Sequence, residues 1–146
     1  YSSELRGGFA CAWVIVSDHP VDFPRVTNPD VLVAQAQDSI DRFSNSLKSG
    51  GILIADSDLV QRIPQKLGRV IWVPATTLSR SQFKIPVVAN MIMLGALWQV
   101  TNVVSRPSLE TAIVGSVPTG KGDMNLEAFA CGAECADRQE CEERVN

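Results

Sequence analysis

Histidine occurs once in this sequence, at His19, between Asp18 and Pro20 and directly after an apolar run. Hydrolases of the serine or cysteine type hold an imidazole beside the nucleophile, so a self-contained triad has almost nothing to draw on here. His19 reads first as an ordinary turn residue and only second as a contact to a ligand or partner. Basic residues do not dominate either: 13 Lys and Arg against 16 Asp and Glu leave a net charge of −3. No basic stripe is present to displace counterions from a phosphate backbone, which argues against nucleic acid as a partner. Long hydrophobic runs are also lacking. The longest, residues 86–98, is broken by Asn90 and falls short of the roughly 20 residues that span a bilayer, so it reads as a buried helix and no membrane role is expected. The N-terminus shows no charged region leading into an apolar one, which makes the cytoplasm the expected compartment. Cysteine is sparse, at Cys11, Cys131, Cys135 and Cys141, with one far from the other three. That spacing does not describe a disulfide-stapled miniprotein, and reduced thiols are expected.

What is present describes an ordinary globular protein. With 45% hydrophobic and 20% charged residues in 146, a single domain over residues 1–146 is expected, with a polar tail over 131–146 that frays into solvent. Residues 12–16, 31–34, 52–55 and 70–73 are short Val- and Ile-rich runs without clean alternation, as strands covered on both faces would be. Between the second and third, Ile40, Phe43 and Leu47 recur at helical spacing, with Asp38 placed to cap and Gly50-Gly51 placed to stop. A strand, helix, strand unit of this kind favours a parallel pair. The fold class is therefore α/β, in three α/β/α layers, with a Rossmann-like sheet that is mostly parallel or mixed. Residues 86–100 form a nearly all-apolar helix begun by Pro86, with Gly95 suited to close contact with a neighbour. A further helix is expected from a Ser108 cap through Leu109, Ala112 and Ile113, followed by a loop over 118–122 and a last helix from about Asn125.

Several constellations invite chemistry, and most have a plainer reading. Gly115 to Lys121 has the spacing G-x-x-x-x-G-K, but Pro118 removes an N–H donor, Gly122 supplies no hydroxyl for magnesium, and the stretch follows a helical pattern instead of a strand. Cys131, Cys135 and Cys141 are spaced C-x3-C-x5-C; the first two share a helical face, yet known zinc and iron–sulfur spacings are tighter and bring a fourth ligand. No metal site is assigned. Asp56-Ser57-Asp58 after a strand offers two carboxylates for magnesium, against the plainer reading of a turn that caps the next short helix. Ser3-Glu4-Leu5-Arg6-Gly7-Gly8 is less ordinary. It sets a carboxylate, a guanidinium that forks to phosphate or carboxylate, and two glycines that admit close backbone approach just before a buried-looking strand. Asn90, an amide in an apolar helix, either bonds a neighbouring loop or faces a pocket.

Taken in order, these features resemble the gamma domain of the 2-oxoacid:acceptor oxidoreductases. Ser3 to Gly8 resembles that family's serine, glutamate, arginine, double-glycine signature, and Val14-Ile15-Val16-Ser17-Asp18 with Pro20 the strand that follows. Asn28-Pro29-Asp30-Val31-Leu32, Leu47-Lys48-Ser49-Gly50-Gly51, Val73-Pro74-Ala75-Thr76 and residues 90–97 (NMIMLGAL) match in turn, and Asn125, Ala128-Phe129 and Gly132 resemble the closing helix. Family members carry a strand and glycine-rich turn ahead of the signature. The sequence starts after it, so the phosphate-contacting role of that turn falls on no residue here.

The resemblance implies a gamma subunit of a 2-oxoacid:ferredoxin oxidoreductase, an enzyme that oxidatively decarboxylates a 2-oxoacid to its acyl-CoA and passes electrons to ferredoxin. The double glycine and the strands lean toward the 2-oxoglutarate type over the pyruvate type. It further implies thiamine diphosphate and magnesium in alpha and beta subunits, [4Fe-4S] clusters chiefly in a delta subunit, coenzyme A as co-substrate, and no cofactor bound by this chain alone. On that reading no residue here is catalytic, and Ser3, Glu4, Arg6, Gly7, Gly8 and Asn90 face coenzyme A or a neighbouring subunit. A free-standing nucleotide-binding module and a purely structural assembly subunit are the alternatives. The apolar share of the chain leads to a further expectation, homodimerisation or partner capture in isolation.

Overall fold

Val31–Ala34 (β1), Ile52–Asp56 (β2) and Arg69–Val73 (β3) align in register as a parallel sheet of order β1-β2-β3. The structure, a computed structural model, describes residues 10–21 and 26–145, with side chains through Gln139. Successive residues of each strand point to opposite faces, and both faces are apolar. Val33, Ile54 and Ile71 stand in one cross-strand row, and Leu32, Leu53 and Val70 in the next row on the opposite face. This two-sided demand is why the strands read as unbroken hydrophobic runs.

Three layers follow. On the first face the helices Ala75–Ser81 (α2), Ala89–Thr101 (α3) and Gly122–Val145 (α5) bring Leu78, Ile92, Met93, Ala96, Ala128 and Ala136 onto Ile54, Ile71 and Val73. On the second face the helix Gln37–Phe43 (α1) and the irregular chain after β2 bring Ile40, Val60, Ile63 and Leu67 onto Leu53 and Ala55. Complete burial of side chains such as Leu53, Ile54, Ile71 and Ile92 contributes about 1.5–3 kcal/mol each.

The helix ends depart from the sequence reading in instructive ways. Asp38 does not cap α1: the N-cap is Ala36, and Asp38 sits in the first turn, where its charge complements the helix dipole. Gln37 ties α1 down instead. Its Oε1 accepts from the backbone N–H of Gln61 and Arg62 at 2.9 and 3.1 Å, and its Nε2 donates to the Arg62 carbonyl at 3.0 Å. Leu47 lies past the helix, which closes in a 3-10 turn, Ser44–Ser46. Pro86 opens a 3-10 turn, Pro86–Val88, that leads into α3, and Asn102 ends α3 in the left-handed region at φ 49°. The helix Arg106–Ser116 (α4) is capped by Ser105, whose Oγ accepts from the Ser108 N–H at 3.3 Å, so Ser108 is the third residue of the helix and not its cap. The last helix begins at Gly122, not Asn125, and is helical to Val145 where a fraying tail was expected. Long-range polar contacts fasten it: Asp137 accepts from Gln99 of α3 at 3.1 Å, and Gln139 Oε1 accepts from the Trp72 N–H on the outer edge of β3 at 2.8 Å.

Residues 12–16 do not form a strand. They run irregular and exposed, with Val14 79% and Val16 64% exposed, while Trp13 meets the Phe43 ring edge-on at 6.3 Å. A strand exists only where a neighbour completes its ladder, and among the described residues none pairs with this segment or with the outer edge of β1. The two edges of the sheet thus differ, since α5 shields that of β3. Gln139→Ala should leave the part-buried Trp72 N–H without a protein acceptor and cost about 1 kcal/mol by urea denaturation. A stability equal to the parent's would show that water serves that edge equally well.

Candidate functional site

In open α/β sheets ligands settle beyond the carboxyl ends of the strands, and here β2 ends in Asp56, buried despite its charge. Its Oδ1 accepts from the Asp58 N–H at 3.0 Å, and its Oδ2 from the N–H and hydroxyl of Thr76 at 3.1 and 2.7 Å. Asp58 repeats the arrangement one residue on, taking the N–H and hydroxyl of Thr77 at 2.7 and 2.9 Å. The reason lies in the local sequence. Pro74 at the N-cap of α2 has no side-chain acceptor, so the first N–H groups of that helix are satisfied from the neighbouring strand end. All four carboxylate oxygens accept bonds from the protein, so this pair is a cross-strand helix cap and not a ready cradle for magnesium. The plainer of the two sequence readings holds. Of the threonine pair that answers the two aspartates, Thr76 stood out only within the Val73-Pro74-Ala75-Thr76 match, and Thr77 not at all.

Of the other candidate site residues only Asn90 lies among the described ones. Asn90 is exposed in the first turn of α3, so its amide needs no internal partner and is open to a ligand or a second chain. Ser3, Glu4, Arg6, Gly7 and Gly8 lie outside the described residues. His19 is an exposed bend residue whose N–H donates to Ser17 Oγ at 3.0 Å. Gly115 to Lys121 spans the end of α4 and a turn with Gly120 at φ 82°, leading into α5, not the strand-to-helix passage of a phosphate loop. Cys131 and Cys135 sit half-buried on one face of α5, and the Cys131 thiol donates to Gln82 Oε1 at 3.6 Å. Burial pushes both thiols above their ordinary value; at Cys131 the Cys135 charge and Glu134 add to it, while at Cys135 Arg138 acts in the opposite sense. Neither is a poised nucleophile at neutral pH. No group of three or more metal-ligating side chains occurs among the described residues. No described helix is long and apolar enough to cross a membrane.

Gly95 makes the close contact expected of it, and what escaped the sequence reading is the partner glycine on α5. Gly95 of α3 lies against the backbone of Phe129, and Gly132 of α5 against the backbone of Ile92, so the two helices cross at their closest approach on a reciprocal glycine pair. Beside it Arg106 stacks over Trp98 and Phe129, 5.5 and 5.9 Å from the ring centroids.

The sequence pattern of the pyruvate ferredoxin/flavodoxin oxidoreductase family matches residues 1–135. The 2-oxoglutarate synthase subunit KorC of Methanocaldococcus jannaschii is 42% identical over 138 residues, which cover 93% of this chain and 74% of that protein. The ketoisovalerate oxidoreductase subunit VorA of Methanothermobacter thermautotrophicus is 34% identical over 140 residues, covering 93% of this chain but 29% of that protein. The solved gamma subunit of a keto/oxoacid ferredoxin oxidoreductase from Geobacter sulfurreducens PCA superposes with a TM-score of 0.76 at 36% identity, covering 82% of this chain and 66% of that one. The chain thus spans about two thirds of the length of that solved subunit.

Proposed function

The chain belongs to the pyruvate ferredoxin/flavodoxin oxidoreductase family and is homologous to gamma subunits of 2-oxoacid:ferredoxin oxidoreductases, and from that premise we propose that it works as the gamma subunit of a cytoplasmic complex that converts 2-oxoglutarate to its acyl-CoA. What supports the substrate is 42, 40 and 39% identity to three 2-oxoglutarate subunits against 34 and 32% to two ketoisovalerate subunits, with a fourth 2-oxoglutarate subunit at 30%. Partner subunits of alpha, beta and delta type complete the enzyme. The matched region of VorA, 29% of a longer polypeptide, supports a domain that works beside others.

The chemistry of the described residues supports the same division of labour. The carboxylates at the sheet edge are engaged in capping α2, and the described thiols fall short of the four a cluster takes. On this reading thiamine diphosphate, magnesium and [4Fe-4S] clusters belong to the partner chains, where thiamine diphosphate supplies the carbanion chemistry. This chain contributes assembly and one wall of the coenzyme A region. On that wall Arg6 forks to a phosphate or a partner carboxylate, Gly7 and Gly8 admit close approach, and Ser3, Glu4 and the exposed Asn90 add polar contacts.

Two measurements test this. In the complex co-purified with its neighbours, ferredoxin reduction should show a higher kcat/KM for 2-oxoglutarate than for 2-oxoisovalerate or pyruvate; the reverse order would remove the substrate assignment. Arg6→Ala should raise the KM for coenzyme A about tenfold, equivalent to about 1.4 kcal/mol, with the melting temperature unchanged. Unaltered coenzyme A kinetics together with unaltered assembly would strip Arg6 of its role.

A further inference from the structure

We propose that the cleft between α2 and α5 is a binding site for a soft d10 cation of the Cu(I) class, held by the sulfurs of Cys131 and Cys135. The cleft has a volume of about 430 Å³, and Leu78 and Phe83 line it beside the two cysteines. At positions i and i+4 of one helix the two side chains lie one above the other on the same face. Both line the cleft, and the Cys131 thiol donates to Gln82 Oε1 at 3.6 Å. A metal–sulfur bond is about 2.3 Å, so two sulfurs one helical turn apart on the same face are placed to flank one ion.

The donor set selects the ion. Thiolates favour soft cations, and two of them satisfy a Cu(I) ion, whereas zinc asks for four ligands. No third His, Cys, Asp or Glu joins the pair among the described residues. Electrostatics favours a cation as well, because Glu127 and Glu134 flank the cleft against Arg138 alone. Burial pushes both thiols up. The thiolate and not the thiol ligates a metal, so binding exchanges protons for metal. Cu(I) plus two thiols gives a bis-thiolate complex of charge −1 and two released protons, and no electron is transferred. Arg138, which already favours ionisation of both thiols, balances the remaining negative charge. Release of the Cys131 proton gives up its bond to Gln82 Oε1, so the ion is held by α5 alone.

The full chain, reduced and anaerobic, is titrated with Cu(I) presented as its bathocuproine disulfonate complex, following loss of the chelate's absorbance. One equivalent per chain should be withdrawn. Cys131→Ser and Cys135→Ser should each weaken withdrawal at least 100-fold, with melting temperatures of the metal-free proteins close to the parent's. Cys11→Ser and Cys141→Ser should retain it, and Zn(II) should not compete at equal concentration. Failure to withdraw copper, retention by both Cys131→Ser and Cys135→Ser, or equal loss in Cys11→Ser or Cys141→Ser would each overturn the assignment. None of these outcomes depends on the 2-oxoacid activity.

Discussion

Gly95→Ala should lower the melting temperature by about 10 °C, and Gly132→Ala by a similar amount. A Cβ at residue 95 would lie 1.9 Å from the Phe129 carbonyl oxygen and 2.8 Å from its carbon, and one at residue 132 would lie 1.8 Å from the Ile92 carbonyl oxygen. Both obstacles are helix backbone, which cannot swing aside as a side-chain tip can. The helices must part by more than an ångström, which opens the packing of Ile92, Met93, Ala96 and Phe129, buried residues that bracket the crossing. Overpacking of a core typically costs about 1–3 kcal/mol, and a backbone-to-backbone clash belongs at the top of that range. At about 2–4 °C per kcal/mol for a domain near this size, that gives the stated shift. One displacement of α5 relieves both clashes, so Gly95→Ala with Gly132→Ala should fall well short of the sum of the single effects. Gly115→Ala serves as the internal control. It lies in α4 with open space around its Cβ, and alanine there should add up to about 1 kcal/mol through helix propensity. Strict additivity in a calorimetric double-mutant cycle would contradict the shared-displacement account.

The same glycine pair shows what a sequence discloses and what it withholds. Gly95 in an apolar helix announces a close neighbour by itself, whereas the identity of that neighbour depends on how α3 crosses a helix that starts well beyond its own end. β1, β2 and β3 were legible because two covered faces force continuous Val and Ile, and their limits were found to within a residue. Residues 12–16 carry the same composition and form no strand, because composition reports burial demand and not a pairing partner. The cap of α4 was misplaced although the signal was available, since Pro107 in the first turn points back to Ser105. The polar C-terminal stretch was expected to fray because its anchors, Gln139 on Trp72 and Asp137 on Gln99, join residues remote in sequence. Of the candidate site, Ser3 to Gly8 stood out by residue type and by resemblance and lies outside the described residues, while Asn90 was taken for a buried amide because apolar neighbours surround it in sequence, although it is exposed. The aspartate pair after β2 was legible as a turn, but that it caps α2 across the sheet followed only from placing β3 beside β2.

That cap sets up a second large effect with a built-in contrast. Asp56→Ala removes the acceptor for the Thr76 N–H and hydroxyl from a position that is 1% exposed. Buried donors left unpaired cost about 1–3 kcal/mol each, and bonds to a charged acceptor stand at the upper end. A loss of about 3–4 kcal/mol is therefore expected, seen as a lower urea midpoint and faster hydrogen exchange across residues 75–81. Asp58 makes a matching pair of bonds to Thr77, but in the open. Water replaces it there, and Asp58→Ala should cost under about 1 kcal/mol. Equal losses at the two positions would mean that burial does not govern the cap. The pair also separates the structural reading from a metal one. Because each oxygen of Asp56 and Asp58 already accepts a bond, millimolar magnesium should leave the melting temperature where it was. A rise with magnesium that vanishes in Asp56→Asn would hand the two carboxylates back to metal binding. α2 then would owe its position to an ion and not to Thr76 and Thr77.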